Sequence, residues 1–541
     1  MSTEKQTHDA GGGHVAVYDT TLRDGSQGEG ISFSVADKVR IAHKLDEFGV
    51  DFVEGGWPGS NPKDVEFYQV MARDPLVSAR LTAFGSTRRP HRSADEDETM
   101  QDLLRASCET ITIFGKAWDF HVVHTLRVSL AENLAMIGDS VGFLRRHVPM
   151  VIFDAEHFFD GYKANPEYAL KCLKVAEDSG ADCIVLCDTN GGSLPNEIAE
   201  ATRAARAVIR GVLGIHAHDD GGCGVANSLS AVLAGADHVQ GTINGYGERC
   251  GNANLCAVLP GLALKMGRSV LRPGALAHLT ALSQFMDEVA NVPPIPHQPY
   301  VGRSAFAHKA GMHVDAITKH RATYEHVDPE LVGNTRRLLV SELSGGATIA
   351  SKAARRAMQL DKRSPEARHL LKRIAELEQE GYAFEGAEAS FELLLMEANR
   401  ELRIPFDVLG FRVIVEKRGR EDPTTEATVK LRVNGVERLT VAEGDGPVHA
   451  LDQAMRKALN RFYPALADIR LTDFKVRVVN VREGTAARVR TIVESRGPDS
   501  VWSTVGVSTN MIEASWHALV DGVIYGLLWT GAQPSPDGSG Q

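Results

Sequence analysis

Eight short apolar runs recur along the first half of this chain, and their spacing limits the folds open to it. They fall at 15–22, 51–57, 80–86, 110–115, 150–156, 183–188, 214–218 and 238–244. Each is too short for a helix, and turn residues bound them, so each reads as a buried strand. The stretches between carry helical periodicity. In the first of these, Ser34 and Asp37 stand at capping-box spacing ahead of Val39, Ile41, Ala42 and Leu45. Eight strand–helix units of roughly 30 residues each predict a closed (β/α)8 TIM-type barrel. An open doubly wound sheet is the alternative, but no GxGxxG follows the first strand.

A barrel gathers its reactive groups at the C-terminal ends of its strands. Here those ends read Arg23-Asp24, Glu54, Asp154 with Glu156 and His157, Asp188-Thr189-Asn190, His216-Ala217-His218-Asp219-Asp220, and Asn244-Gly245. Asp24-Gly25 is a turn signal, which puts Arg23 and Asp24 where the first strand gives way to a bend. An exposed Arg–Asp turn would account for that pair taken alone.

His216-Ala217-His218 is the strongest local signal. Residues i and i+2 of a strand face one side, so both imidazoles point the same way. With a carboxylate they make a divalent-metal site with open positions, and Asp24 is the candidate, because strands one and seven both reach the barrel mouth. Mixed oxygen and nitrogen donors favour Mn2+, Zn2+ or Mg2+ over Cu+. Two histidines hydrogen-bonded at a barrel rim remain the alternative. After the last strand, 244–254 is a Gly-rich loop carrying Glu248, Arg249 and Asn252. Such a loop can bind anions through its backbone N–H groups, or serve only as a tight turn.

The chain has 541 residues, which predicts more than one domain. We place a disordered N-terminus at 1–13, the barrel at 14–275, helical accessory subdomains at 276–404, a C-terminal allosteric domain at 405–531 and a disordered tail at 532–541. Val292-Pro293-Pro294 marks the exit from the barrel, and a helix is predicted from Pro365 to about Gln379. From about 405 the texture becomes alternating, with strands at 411–416 and 427–433 and an Asn434-Gly435 hairpin signal. Pro447 opens a helix running to about Leu459. The scheme repeats with strands near 473–482, 485–495 and 501–507 and a helix over 510–528, a pseudo-duplicated βββα domain. A net charge of −11 argues against nucleic acid or an anionic membrane as partner. The seven cysteines form no CxxC and suit reduced thiols, and no run is long enough to span a bilayer, so a cytoplasmic location is expected.

The motifs at 19–25, at 216–221 with Val225-Ala226-Asn227 after it, and at 245–253 resemble the signatures of the metallolyase barrel family. That family includes 2-isopropylmalate, homocitrate and citramalate synthases and hydroxymethylglutaryl-CoA lyase. The stretches 51–64 (DFVEGGWPGSNPKD) and 153–169 (FDAEHFFDGYKANPEYA) are most similar to the citramalate synthase branch. The stretches 441–450 and 503–519 look like the regulatory domain that ends many of these synthases. Ser26 stands where isopropylmalate synthases carry Glu, and Asp219 where the family commonly has Asn.

The resemblance implies a Claisen condensation of acetyl-CoA with pyruvate, followed by thioester hydrolysis to (R)-citramalate and CoA, on a pyruvate route to isoleucine. It implies metal ligands Asp24, His216 and His218 with Asn252 nearby, and Arg23 on the developing oxyanion. Thr189 would bind the substrate carboxylate and Glu156 would stand beside the substrate. His313, Asp315 and Tyr324 match accessory-domain residues implicated in removing the acetyl proton, although from sequence alone they read as polar linker surface. It further implies a homodimer regulated by an amino acid, isoleucine, at the C-terminal domain. The alternatives are 2-isopropylmalate synthesis and a lyase or carboxyltransferase on the same barrel.

Overall fold

A computed structural model describes residues 13–339, 364–479, 486–498 and 500–535. The chain divides into two units. One comprises Met1–Phe306 with Val327–Thr335, the other Ala307–His326 with Arg336–Gln541.

The first unit is a closed barrel of eight parallel strands in sequence order: β1 (Ala16–Asp19), β2 (Phe52–Gly56), β3 (Arg80–Ser86), β4 (Thr110–Lys116), β5 (Met150–Glu156), β6 (Cys183–Asp188), β7 (Val212–Ala217) and β8 (His238–Gly241). β8 pairs with β1 and closes the ring, with Val17 opposite Val239. Side chains alternate with period two, as a strand requires. On β6, Cys183, Val185 and Cys187 turn into the barrel and pack with Tyr18, Phe52 and Ile152, while Ile184 and Leu186 join the outer core beneath the helices. The same parity that sends Phe52 and Ile152 inward sends Glu54, Asp154 and Glu156 inward one and two steps later. An apolar layer therefore fills the lower barrel and a charged layer lies over it.

The first helix, α1 (Val35–Phe48), begins with the reciprocal capping box expected of Ser34 and Asp37. Helix α2 (Pro62–Met71) has Asn61 as its cap. One expectation needs correcting. The first strand stops at Asp19, short of the predicted 22, because the Asp19 carboxylate accepts hydrogen bonds from Thr21 N–H and Thr21 Oγ1 at 2.9 Å each. That local turn draws the backbone out of the sheet. Arg23 and Asp24 thus lie in a helical turn ahead of a short 3-10 segment, Gly25–Gln27. There their side chains meet, as adjacent residues of a strand could not.

In the second unit, β9 (Ala307–His308) and β10 (Arg337–Leu338) form a short parallel pair. Helices Pro365–Glu380 and Glu388–Ala398 follow, and their buried faces share a core with Val505 and Val507. Next come two antiparallel sheets. The first is β11 (Asp407–Glu416), β12 (Thr424–Val433) and β13 (Val436–Gly444), followed by the helix Pro447–Leu459. The second is β14 (Arg470–Val478), β15 (Val489–Arg496) and β16 (Val501–Ser508), followed by the helix Met511–Trp529. This is the repeated βββα pattern. Asn434 and Gly435 both have positive φ, 49° and 81°, as a type I′ hairpin needs. The parts of the expected strands over 480–485 lie outside the described residues, as do 1–12 of the expected disordered N-terminus and 536–541 of the tail. The tail's first residues are tied down: Ser535 N–H donates to the Phe462 carbonyl at 2.9 Å. Among the described residues no helix is long and apolar enough to cross a membrane, and all seven cysteines are free.

Candidate active site

The charged layer opens into a cavity of about 470 Å³ at the C-terminal ends of the strands. Its floor holds Asp24, His216 and His218, each buried, with one donor atom per residue all within 4.8 Å of one another. His216 Nε2 is 3.5 Å and His218 Nε2 3.9 Å from Asp24 Oδ2. Asn252, 1 % exposed, donates from Nδ2 to Asp24 Oδ1 and to the Tyr246 carbonyl, both at 3.1 Å. Two buried atoms around this cluster have no hydrogen-bond partner, His218 Nδ1 and Asn252 Oδ1.

Arg23 bridges the cluster to β2. Its Nη1 donates to Asp24 Oδ2 at 2.9 Å, and its Nε and Nη2 grip the Glu54 carboxylate at 3.0–3.2 Å. The guanidinium lies over the Phe84 ring, 3.8 Å from its centroid. One N–H on each terminal nitrogen remains beyond these carboxylates. Glu54 is fully buried.

Asp24, Glu54 and Asp154 crowd the floor with carboxyl groups away from water, and burial raises Glu54 against the pull of Arg23. Burial works against the Asp24 carboxylate, but Arg23, His216 and His218 hold it well below the usual carboxylate range. Burial lowers His216, and the hydrogen bond and charge of Asp24 more than reverse this and raise it. His218 is pushed down to about 4 by burial and the neighbouring His216, which leaves it neutral. Burial raises Asp154, on the same layer, to about 7 against the pull of His216. Two imidazoles, a carboxylate kept ionised and two unpartnered polar atoms fit a divalent cation.

The other expected residues are placed as follows. Glu156 lines the cavity and is paired with Lys116. Thr189 lines it too. Its Oγ1 accepts from His157 N–H at 2.9 Å, and its carbonyl accepts from Arg249 Nη2 at 2.8 Å. Arg249 also grips Asp220 at 2.8 and 3.1 Å, tying the Gly-rich loop to the loop after β7. His313, Asp315 and Tyr324 belong to the second unit, where the His313 and Tyr324 rings stack with centroids 4.0 Å apart and Asp315 pairs with Lys319.

Seven contributors carried no assigned role from the sequence. Glu54 and Asp154 were visible as strand-end carboxylates. Lys116, at the end of β4, and Gln240, within β8, give no motif and emerge only from strand register. Trp57, Phe84 and Phe114 form an aromatic wall beside Arg23, with ring centroids 5.5–6.2 Å apart.

The HMGL-like family model matches residues 14–287. A homocitrate synthase post-HMGL domain-like model matches 300–381, and the LeuA allosteric (dimerisation) domain matches 385–527. The (R)-citramalate synthase of Geobacter sulfurreducens is 55% identical over 514 residues, covering 95% of this chain and 97% of that protein. Those of Synechocystis sp. and Aquifex aeolicus are each 53% identical, covering 94% and 95% of this chain and 96% and 98% of their own. With a barrel of this topology and likeness of this depth along nearly its whole length, the chain belongs to the HMGL-like family, among the (R)-citramalate synthases.

Proposed function

We propose that this chain condenses acetyl-CoA with pyruvate and water to give (R)-citramalate and CoA. The observation that carries the reading is the Asp24–His216–His218 cluster beside the Arg23–Glu54 pair on the floor of one cavity. Family membership names the chemistry such a floor serves. Asp24, His216 and His218 would hold a divalent cation, Mn2+, Mg2+ or Zn2+, with Asn252 alongside. When bound, the cation would polarise the keto and carboxylate oxygens of pyruvate.

The free N–H groups of Arg23 are positioned for the keto oxygen, which gains charge as the carbon–carbon bond forms. Glu54 keeps the guanidinium plane fixed while that charge develops. Thr189 offers its hydroxyl to the substrate carboxylate. Glu156, with Lys116 beside it, is placed to hold a proton or the water that later cleaves the thioester. The base for the acetyl methyl proton is assigned to His313, with Tyr324 stacked on it and Asp315 two residues further along the same helix. Trp57, Phe84 and Phe114 give the cavity an apolar side next to Arg23, and the choice of pyruvate over larger 2-oxo acids rests on the likeness to (R)-citramalate synthases.

In the second unit, a cavity of about 480 Å³ is lined by Val408, Leu409, Phe411 and Trp516 together with Tyr382, His517 and Asp521. Apolar walls beside a carboxyl group suit an aliphatic amino acid, and isoleucine is the effector we assign to this domain, acting on a homodimer. Coenzyme A release should be measured with pyruvate, 2-oxobutanoate, 2-oxoisovalerate and 2-oxoglutarate in turn. The highest kcat/KM is expected for pyruvate. A maximum on 2-oxoisovalerate would make this a 2-isopropylmalate synthase instead.

A further inference from the structure

The two imidazoles of the cluster differ in what stands behind them. His218 Nδ1 is buried without a partner. His216 Nδ1 lies 2.8 Å from Gln240 Oε1, and Gln240 Nε2 donates to Asp154 Oδ1 at 3.1 Å. The three residues come from β5, β7 and β8 and are 0–5 % exposed. His216 and Gln240 are direct partners in the parallel register of β7 and β8.

An amide side chain has a donor end and an acceptor end, and the end that faces a histidine decides which ring nitrogen carries the proton. With Oε1 toward the ring, Nδ1 must be the donor. In the neutral ring the Nε2 lone pair is then left pointing at the Asp24 side, where a cation would take the place of the proton that Asp24 draws there. Turning the amide over would set N–H against Nδ1 and move the ring proton to Nε2, where it blocks ligation. Asp154 opposes that turn, because its Oδ1 already accepts from Gln240 Nε2 and the reversed amide would bring Oε1 against it. The strand register thus fixes one imidazole of the pair and leaves the other with no such support.

We propose that Gln240, held by Asp154, is the positioning residue that sets the tautomer and ring plane of His216, and with them the metal affinity of the site. This rests on the reading of Asp24, His216 and His218 as metal ligands. Losing a hydrogen-bond partner behind a ligating histidine typically weakens metal binding about 10–100-fold.

The test titrates the full-length chain with Co2+ against a chromophoric chelator, and follows the ligand-field spectrum and thermal unfolding alongside. Gln240→Leu is expected to weaken binding about 10–100-fold, while Gln240→Glu combined with Asp154→Asn, which keeps an acceptor on Nδ1 and sets an amide N–H against the other carboxylate oxygen, stays within about tenfold of the unchanged chain. Asp154→Leu, which frees the amide to turn, should fall between them. Asp24→Ala marks the site itself. If it binds Co2+ as well as the unchanged chain, the ligand assignment has failed. If Asp24→Ala loses binding but Gln240→Leu retains it, the ligand assignment stands and the positioning role is overturned. Should Gln240→Leu fail to fold, the Gln240→Glu, Asp154→Asn pair decides: a folded chain with both changes whose affinity falls more than about tenfold also overturns the proposal.

Discussion

Arg23 sits between two carboxylates, and its usefulness depends on the one that does not face the reaction. Glu54 has no exposure and exists in that place only because the guanidinium neutralises it. Removing it leaves a buried cation with half its support, which typically costs about 3–5 kcal/mol. Glu54→Ala is therefore expected to lower the unfolding midpoint and to reduce kcat more than it raises KM for the 2-oxo acid. Unchanged kcat in a folded Glu54→Ala chain would show that Arg23 keeps its aim from Asp24 alone. A second residue acts through backbone shape. Gly251 has a φ of 93°, and a methyl group there would drive into the Gly245 carbonyl oxygen. Its neighbour Asn252 reaches Asp24 only because the loop folds this tightly. Gly251→Ala should leave the barrel folded, by circular dichroism, while Co2+ affinity falls at least about tenfold, as when a supporting group around a metal site is lost. An affinity equal to that of the unchanged chain would place Asn252 outside the site.

At the scale of elements, the eight strands were legible because each is a brief apolar run bracketed by turns, and the period of about 30 residues between them admits few topologies. His216 and His218 were legible for a related reason: a spacing of two on a strand fixes the shared face before any partner is known. What the sequence could not carry was contact between strands. Nothing in Glu54 or Gln240 announces its partner, since Arg23 is 31 residues from Glu54 and His216 is 24 from Gln240. His216 meets Gln240 through register, and Arg23 meets Glu54 because the turn after β1 brings its guanidinium back to β2; both depend on the closed barrel. The early exit of β1 was missed for the opposite reason: Asp19 and Thr21 make a turn from side-chain hydrogen bonds inside a run that reads as apolar.

The same scale gives a pH dependence in the second unit. Asp521, on the helix Met511–Trp529, accepts from Ser390 Oγ at 3.1 Å on the helix Glu388–Ala398. Burial raises its pKa from 3.8 to about 7, against the pull of Ser390. The folded chain therefore holds a proton there between those values that the unfolded chain has released. Its contribution to stability is full below about pH 4 and is lost as pH rises through about 7. Asp521→Asn removes that slope. The drop in unfolding midpoint of the second unit from pH 5 to pH 8 should shrink in this variant, and an unaltered drop would assign the dependence to other groups.

At the scale of the whole molecule, the question is what the C-terminal sheets leave open. Strands β11 and β14 each pair on one side only. They are unusually apolar for edges: Val408, Leu409, Phe411, Ile414 and Val415 on β11, and Phe474, Val476 and Val478 on β14, are all at least 36% exposed. Exposed apolar edges of this length invite association, and proteins that remain monomeric blunt them with charge, proline or a covering element. Here the stretch corresponds to a LeuA dimerisation domain, so the apolar edges are the surfaces we assign to a second copy of this chain. The placement has a direct consequence. A lysine at Val415, 53% exposed, and another at Val476, 41% exposed, should leave each βββα half folded, because neither side chain contributes to the buried cores. Both would place charge where the partner packs. Sedimentation velocity is expected to give the mass of two chains for the unchanged protein and of one for the Val415→Lys, Val476→Lys chain. If the doubly charged chain still sediments as a dimer, the two edges are not the contact.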